Sequence, residues 1–271
     1  MKKILFTDLD GTLLNNQSKI SDSMKEALDK MIQAGHVLVL SSGRPLHSII
    51  SIKENAGIDY PGIYIIANNG GLVYDCDKKT NILERRVSFE DMLVAWNLAK
   101  EHGLHIQTYS ESHIISSNTT KALEYYTRKV TLPVIFSDNP AEVLDAPPYK
   151  LLAIDLENKK NLDAYAASLA KKNTKLTTLF SNPKFLEVIP ADSGKGKGLE
   201  WLCNHLDIPV ANSIASGDAE NDLSMLQAAE IGVAMKNAEE ILKQHADVVT
   251  EKSNDENGLV EIIEKYMLGQ K

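Results

Sequence analysis

Short apolar runs alternate with amphipathic stretches at both ends of the chain, and a different pattern fills the middle. Ile4-Leu5-Phe6 reads as a buried strand that gives way to a polar turn after Asp8. Over residues 21–34, Met24, Ala27, Leu28, Met31 and Ile32 recur at helical spacing, with Ser21 at the start and Gly35 as a stop. Val37-Leu38-Val39-Leu40 predicts a second strand, Pro45 suits the first turn of a second helix, and 63–66 forms a third apolar run. The last eighty residues repeat the alternation. Helices are predicted over 199–206, 222–229 and 238–245, and strands over 213–215, 231–235 and 248–249. Short β-rich runs alternating with helices imply an α/β fold with a doubly wound parallel sheet, Rossmann-like and covered on both faces.

The middle predicts helices over 89–102 and 162–171 among strands over 105–109, 114–116 and 151–155, with a hairpin at Ser181-Asn182-Pro183. This is the pattern of an inserted α+β domain. The polar, turn-rich segments 74–79 and 190–194 read as its hinges. The expected division is therefore a core from 1–82 with 189–271, and an insertion over 83–188.

Composition narrows the class. The chain has 271 residues, 43% hydrophobic and 24% charged, as an ordinary globular protein does. No apolar run approaches the roughly 20 residues that cross a bilayer, and Asp8 interrupts the first run too early for a signal-peptide core. Cys76 and Cys203 lie far apart without a CxxC pair, so a zinc site or disulfide framework is not indicated. A reducing, cytoplasmic setting is expected. The net charge of −8, with no basic block longer than two residues, weighs against nucleic acid and anionic membrane as partners.

The candidate chemistry begins at Asp8-Leu9-Asp10-Gly11-Thr12-Leu13. Two carboxylates two residues apart at a strand end project to one side, and Gly11 lets the chain turn away. A bare DxD pair is more often a solvated loop. Its place directly after a buried strand, with partners downstream, favours a site. Gly217-Asp218-Ala219-Glu220-Asn221-Asp222 follows another strand and opens a helix. Its carboxylates suit a hard cation, and Asn221 or Asp222 suits a helix cap equally well. Ser42-Gly43-Arg44-Pro45 offers a hydroxyl and backbone N–H groups at a helix start, a natural phosphate cradle. Lys195, in Gly194-Lys195-Gly196-Lys197-Gly198, does not fit the P-loop template, yet a lysine between glycines can approach a phosphate. Lys197 competes for that role.

In this order the elements resemble the haloacid dehalogenase superfamily, in its Cof-type sugar-phosphatase-like branch. The resemblance rests on DLDGTL at 8–13, SGRP at 42–45, NNGG at 68–71, KGKGL at 195–199, GDAENDLSML at 217–226 and VAMKNA at 233–238. It implies a phosphohydrolase acting on small phosphorylated metabolites: sugar phosphates, nucleotides, flavin mononucleotide or pyridoxal phosphate. Asp8 would be the nucleophile and Asp10 the general acid/base. Mg²⁺ would be held by Asp8, the backbone carbonyl of Asp10 and Asp218, with Asp222 in or beside that shell. Ser42, Gly43 and Lys195 would grip the phosphoryl group, and Asn221 would support it or Lys195. Arg44 and Asn69 are placed at the substrate entrance, or else serve structurally. The insertion would be a cap that selects the substrate, although its isolated His105, Tyr109, His113, Lys150 and Lys184 read first as solvated or locally satisfied groups. A phosphomutase with the same core chemistry and a non-catalytic phospho-ligand sensor are the alternatives.

Overall fold

The computed structural model describes residues 2–128, 130 and 132–269. In chain order it forms β1 (Ile4–Thr7), α1 (Asp22–Gln33), β2 (Val37–Ser41), α2 (Leu46–Asn55), β3 (Tyr64–Ala67), β4 (Leu72–Asp75), β5 (Thr80–Glu84), α3 (Phe89–Glu101), β6 (His105–Tyr109), β7 (Ile114–Ser116), α4 (Lys121–Thr127), β8 (Val134–Phe136), β9 (Leu151–Ile154) and α5 (Lys159–Leu169). There follow β10 (Leu176–Asn182), β11 (Phe185–Pro190), α6 (Lys195–His205), β12 (Ser213–Gly217), α7 (Leu223–Ala228), β13 (Ile231–Ala234), α8 (Glu240–Lys243), β14 (Val248–Val249) and α9 (Gly258–Ile262). The chain divides into two compact units, one running to Glu84 and resuming at Ser193, the other spanning Arg85–Asp192.

The first unit holds a sheet in the order β14-β13-β12-β1-β2-β3-β4-β5. Strands β14 to β3 are parallel, and β4 and β5 close the edge as an antiparallel pair. Ile4, Leu5 and Phe6 of the central strand are fully buried, as expected of a run covered on both faces. The strand order reverses beside β1. After β1 the chain adds β2 and β3 on one side, and later β12, β13 and β14 on the other. Ligands of such sheets bind at that switch point, outside the carboxyl ends of the strands.

Segment 74–79, expected to be a hinge, is instead the turn of the β4–β5 hairpin. The Asp75 carboxylate accepts the backbone N–H groups of Asp77 and Lys78, both at 3.0 Å, and so caps the turn from within the pair. The chain leaves the first unit at Glu84 and returns at Ser193.

The second unit is built on a sheet in the order β10-β11-β9-β6-β7-β8, antiparallel except for β7–β8. Helices α3 and α5 supply Met92, Trp96, Leu162 and Tyr165 to a core with Ile106, Ile115, Leu151, Ala153 and Val188. A smaller cluster of Ala122, Leu152 and Ile154 packs with Tyr126 and Phe185. The expected hairpin forms between β10 and β11. Lys150 and Glu187 bury as an ion pair at 2.8 Å, and His105 bonds Gln107 and Thr120, so these groups are satisfied locally.

Candidate active site

Four loops of the first unit leave the carboxyl ends of adjacent parallel strands: 8–14 after β1, 42–45 after β2, 68–71 after β3, and 218–222 after β12. The β1 loop is fixed from below, because Leu9, Leu13 and Leu14 are buried while the Asp8 N–H still donates to the Ser216 carbonyl at 2.9 Å. Gly11 then turns the chain at φ +76°, and a Cβ there would stand 2.3 Å from Asp218 Oδ2. Only glycine serves both demands.

Asp8 lies 7% exposed, and Lys195 is wholly buried against it. Lys195 Nζ donates to Asp8 Oδ1 at 2.6 Å and to Asp222 Oδ1 at 2.5 Å. The other Asp222 oxygen accepts the backbone N–H groups of Asp218 and Ala219, at 3.1 and 3.2 Å. Asp222 therefore ties its own loop to the lysine. Asp218 accepts the Thr12 hydroxyl at 3.3 Å, linking the β12 loop to the β1 loop. Lys195 reaches the cluster because Gly194, just before α6, turns the chain into the helix at φ +137°, and because Gly196 packs on the Ser224 backbone. Lys197, two residues further along the helix, is exposed. The helix begins four residues earlier than the apolar periodicity from Leu199 suggests, since its first turn is glycine-rich and carries the site lysine.

Asp8, Asp218 and Asp222 each offer a carboxylate oxygen within 4.8 Å of the others. Like charges so spaced repel by about 3–4 kcal/mol per pair at an effective dielectric constant of ~20, and Lys195 is one cation against three. Burial, with Asp222 and Asp218 alongside, pushes the Asp8 carboxyl up despite Lys195. Burial, followed by Asp222, pushes Asp218 up to about 7. Burial alone would pull Lys195 down, but Asp222 and Asp8 outweigh it and hold the ammonium charged. The donor set is hard oxygen with an excess of negative charge, which fits a Mg²⁺-like cation.

Asp10 stands apart from this cluster. Its carboxylate is half-exposed and takes Arg44 in a bidentate pair, Nε at 2.6 Å and Nη2 at 2.9 Å. Ser42 is buried, and its hydroxyl accepts the Arg44 N–H at 3.2 Å, closing the turn that Gly43 passes through. Two placements differ from expectation. Asn69 is not at an open entrance: it is fully buried, because Asn68, Asn69 and Gly70 all adopt left-handed backbone and fold the side chain inward. Asn221 turns toward Asn69, donating to its Oδ1 at 3.1 Å, while Lys195 is held by the two aspartates. Sequence reading assigned no role to Thr12 or Asn237. Thr12 bonds Asp218, and Asn237 donates to the Gly11 carbonyl at 2.8 Å. Their place within the DLDGTL and VAMKNA motifs was the available signal.

The family model described as haloacid dehalogenase-like hydrolase matches residues 5–263, nearly the whole chain. The chain belongs to the haloacid dehalogenase-like hydrolases. A solved member of this hydrolase family from Bacteroides thetaiotaomicron is 30% identical and superposes with a TM-score of 0.83, over 98% of this chain and 99% of its own. Among curated proteins, this hydrolase is 29% identical to 5-amino-6-(5-phospho-D-ribitylamino)uracil phosphatase YwtE of Bacillus subtilis, over 99% of each chain. It is 26% identical to phosphatase YwpJ of the same organism, over 98% of this chain and 100% of that one.

Proposed function

We propose that this hydrolase removes phosphate from small phosphorylated metabolites through a covalent phosphoryl intermediate on Asp8. One observation carries the reading: a buried carboxylate at the end of the central strand, held at 2.6 Å by a buried lysine and flanked by two further carboxylates. The naming of full-length relatives as phosphatases supports it.

Asp8 attacks phosphorus, the P–O bond to the leaving group breaks, and Asp10 protonates the departing oxygen. Asp10 then takes a proton from the water that attacks the aspartyl phosphate, releasing inorganic phosphate and restoring Asp8. Lys195, the Ser42 hydroxyl and the Gly43 turn hold the transferring group, which phosphoryl transfer needs for alignment and charge stabilisation. Asp8, the Asp10 carbonyl and Asp218 would hold Mg²⁺, with Asp222 beside them orienting the loop and Lys195. The ion, when bound, supplies the positive charge that lets a phosphate dianion approach this acidic cluster. The Arg85–Asp192 unit is assigned the choice of substrate, and the setting is cytoplasmic.

The reading is tested by phosphate release from a panel of phosphorylated metabolites and an aryl phosphate, with Mg²⁺ and with EDTA. Metal-dependent release that Asp8→Asn lowers by about 10⁴-fold or more is expected. Release that survives EDTA, or an Asp8→Asn variant near wild-type rate, would contradict it. A phosphorylated isomer in place of free phosphate would point to a mutase.

A further inference from the structure

The 68–71 turn touches the 42–45 loop, Gly194 and Asn221, and the one role expected of its side chains, Asn69 at the substrate entrance, does not match its burial. Asn68, Asn69 and Gly70 stand in succession at φ +51°, +52° and +86°. Left-handed backbone at two consecutive non-glycine residues is strained, and such strain persists where surrounding structure holds it, often at functional sites. The hydrogen bonds show what holds this one. The Asn69 N–H donates to the Ser42 carbonyl at 3.1 Å, and the Asn68 N–H to the Arg44 carbonyl at 3.0 Å. Gly70 packs so closely on Gly194, the residue before Lys195, that a Cβ would lie 2.2 Å from the Gly194 carbonyl oxygen.

The Asn69 side chain completes the set. Its Oδ1 accepts the Asn221 amide at 3.1 Å. Its Nδ2 is buried without a hydrogen-bond partner among the described residues, and lies 3.0 Å from where a Cβ on Gly43 would stand. A glycine at 69 would meet the backbone demand with less strain. A fully buried carboxamide with one end bonded and the other unpaired costs stability, so its presence calls for a role.

We propose that Asn69 is a positioning residue of the phosphate cradle, whose carboxamide orients Asn221 and, against Gly43, sets the spacing between the 42–45 and 218–222 loops. One N–H of Asn221 goes to Asn69, which fixes the plane of the Asn221 amide just before α7 starts. The inference rests on the phosphate-hydrolase reading and deepens it, since Asn69 acts through Asn221 and touches no reacting atom.

The test is a double-mutant cycle on binding of inorganic phosphate, measured by calorimetry with Mg²⁺ and needing no turnover. Asn69→Gly suits the left-handed backbone, so it removes the carboxamide without adding strain. Asn69→Gly and Asn221→Ala should each weaken phosphate binding by about tenfold, and the double variant should bind no worse than Asn221→Ala alone. A purely structural role for Asn69 would instead give losses that multiply. Multiplying losses, or unchanged binding in Asn69→Gly, overturns the proposal while leaving the hydrolase reading intact. Should Asn69→Gly not fold, Asn69→Asp tolerates the same left-handed backbone and keeps the oxygen that accepts from Asn221 while losing the amide nitrogen against Gly43, and unchanged phosphate binding in it would equally overturn the proposal. A wild-type protein that binds no phosphate and releases none from any ester overturns both readings.

Discussion

Asp10 and Arg44 pair at the site with side chains 49% and 41% accessible. Ion pairs so wet add little to stability, about 0–1 kcal/mol, but a bidentate fork fixes where a carboxylate points. Arg44→Ala should therefore leave the unfolding midpoint nearly unchanged while lowering kcat by roughly tenfold. Parallel denaturation and kinetics would show it, and equal kcat would remove Arg44 from the positioning of Asp10. Asp10→Asn should slow both formation and breakdown of the intermediate, by about 10²–10⁴-fold in turnover. His105 gives a residue-scale prediction in the other unit. Burial holds its imidazole below the ordinary 6.5, between Gln107 at 2.9 Å and the Thr120 hydroxyl at 2.9 Å. A depressed folded-state pKa means that the unfolded chain takes up the proton first as pH falls. The stability His105 contributes is thus present above about pH 6.5 and is lost below it. Between about pH 7.5 and about pH 5.5 the raised carboxyls of Asp8 and Asp218 act in the opposite sense, so the test is the difference. The urea midpoint of His105→Gln should change less unfavourably with falling pH than that of the wild type, and identical pH slopes would contradict the role given to His105.

At the scale of elements, the site is four loops set on one sheet end, and glycines decide how closely they meet. Gly11 combines positive φ with the Asp218 carboxylate, so Gly11→Ala should cost about 1–2 kcal/mol from the backbone alone and also push Asp218 aside. A lower urea midpoint together with weakened Mg²⁺ binding is the expected result, whereas a loss of stability without any change in metal binding would contradict the role given to the contact. The buried strands, α1 with its Ser21 cap, and the β10–β11 hairpin were legible in the sequence, because period and turn chemistry are local signals. So was the placement of Asp8 and the 217–222 loop, since their motifs sit at strand ends, and of Lys195, which its glycine-rich segment marks at the start of α6. The β4–β5 hairpin was not, because its polar turn looks like a hinge until the pairing partner is known. The burial of Asn69 was equally hidden, since it follows from consecutive left-handed residues that sequence composition does not announce. Lys197 competed with Lys195, which the KGxGL spacing favoured, and the start of α6 buries Lys195 while leaving Lys197 exposed.

At the scale of the molecule, each unit has its own sheet, and the chain passes between them at Glu84–Arg85 and Asp192–Ser193. Trp96 is fully buried in the core of the second unit, and Trp201 lies on α6 of the first. Trp96→Phe and Trp201→Phe variants therefore each leave a reporter in one unit. Separate cores should give non-coincident denaturation curves for the two reporters, and superimposable curves would show instead that the units unfold as one. Among the described residues no helix is long and apolar enough to cross a membrane. The central claim for the whole molecule is that its chemistry passes through one side chain, Asp8. The most direct measurement is an acid-quenched single turnover with an active phosphate ester and Mg²⁺, followed by peptide mapping by mass spectrometry. The account predicts a phosphoryl group on Asp8, accumulating further in Asp10→Asn and absent from Asp8→Asn. Turnover with no phosphoryl group on the protein, or one carried by a different residue, would contradict it.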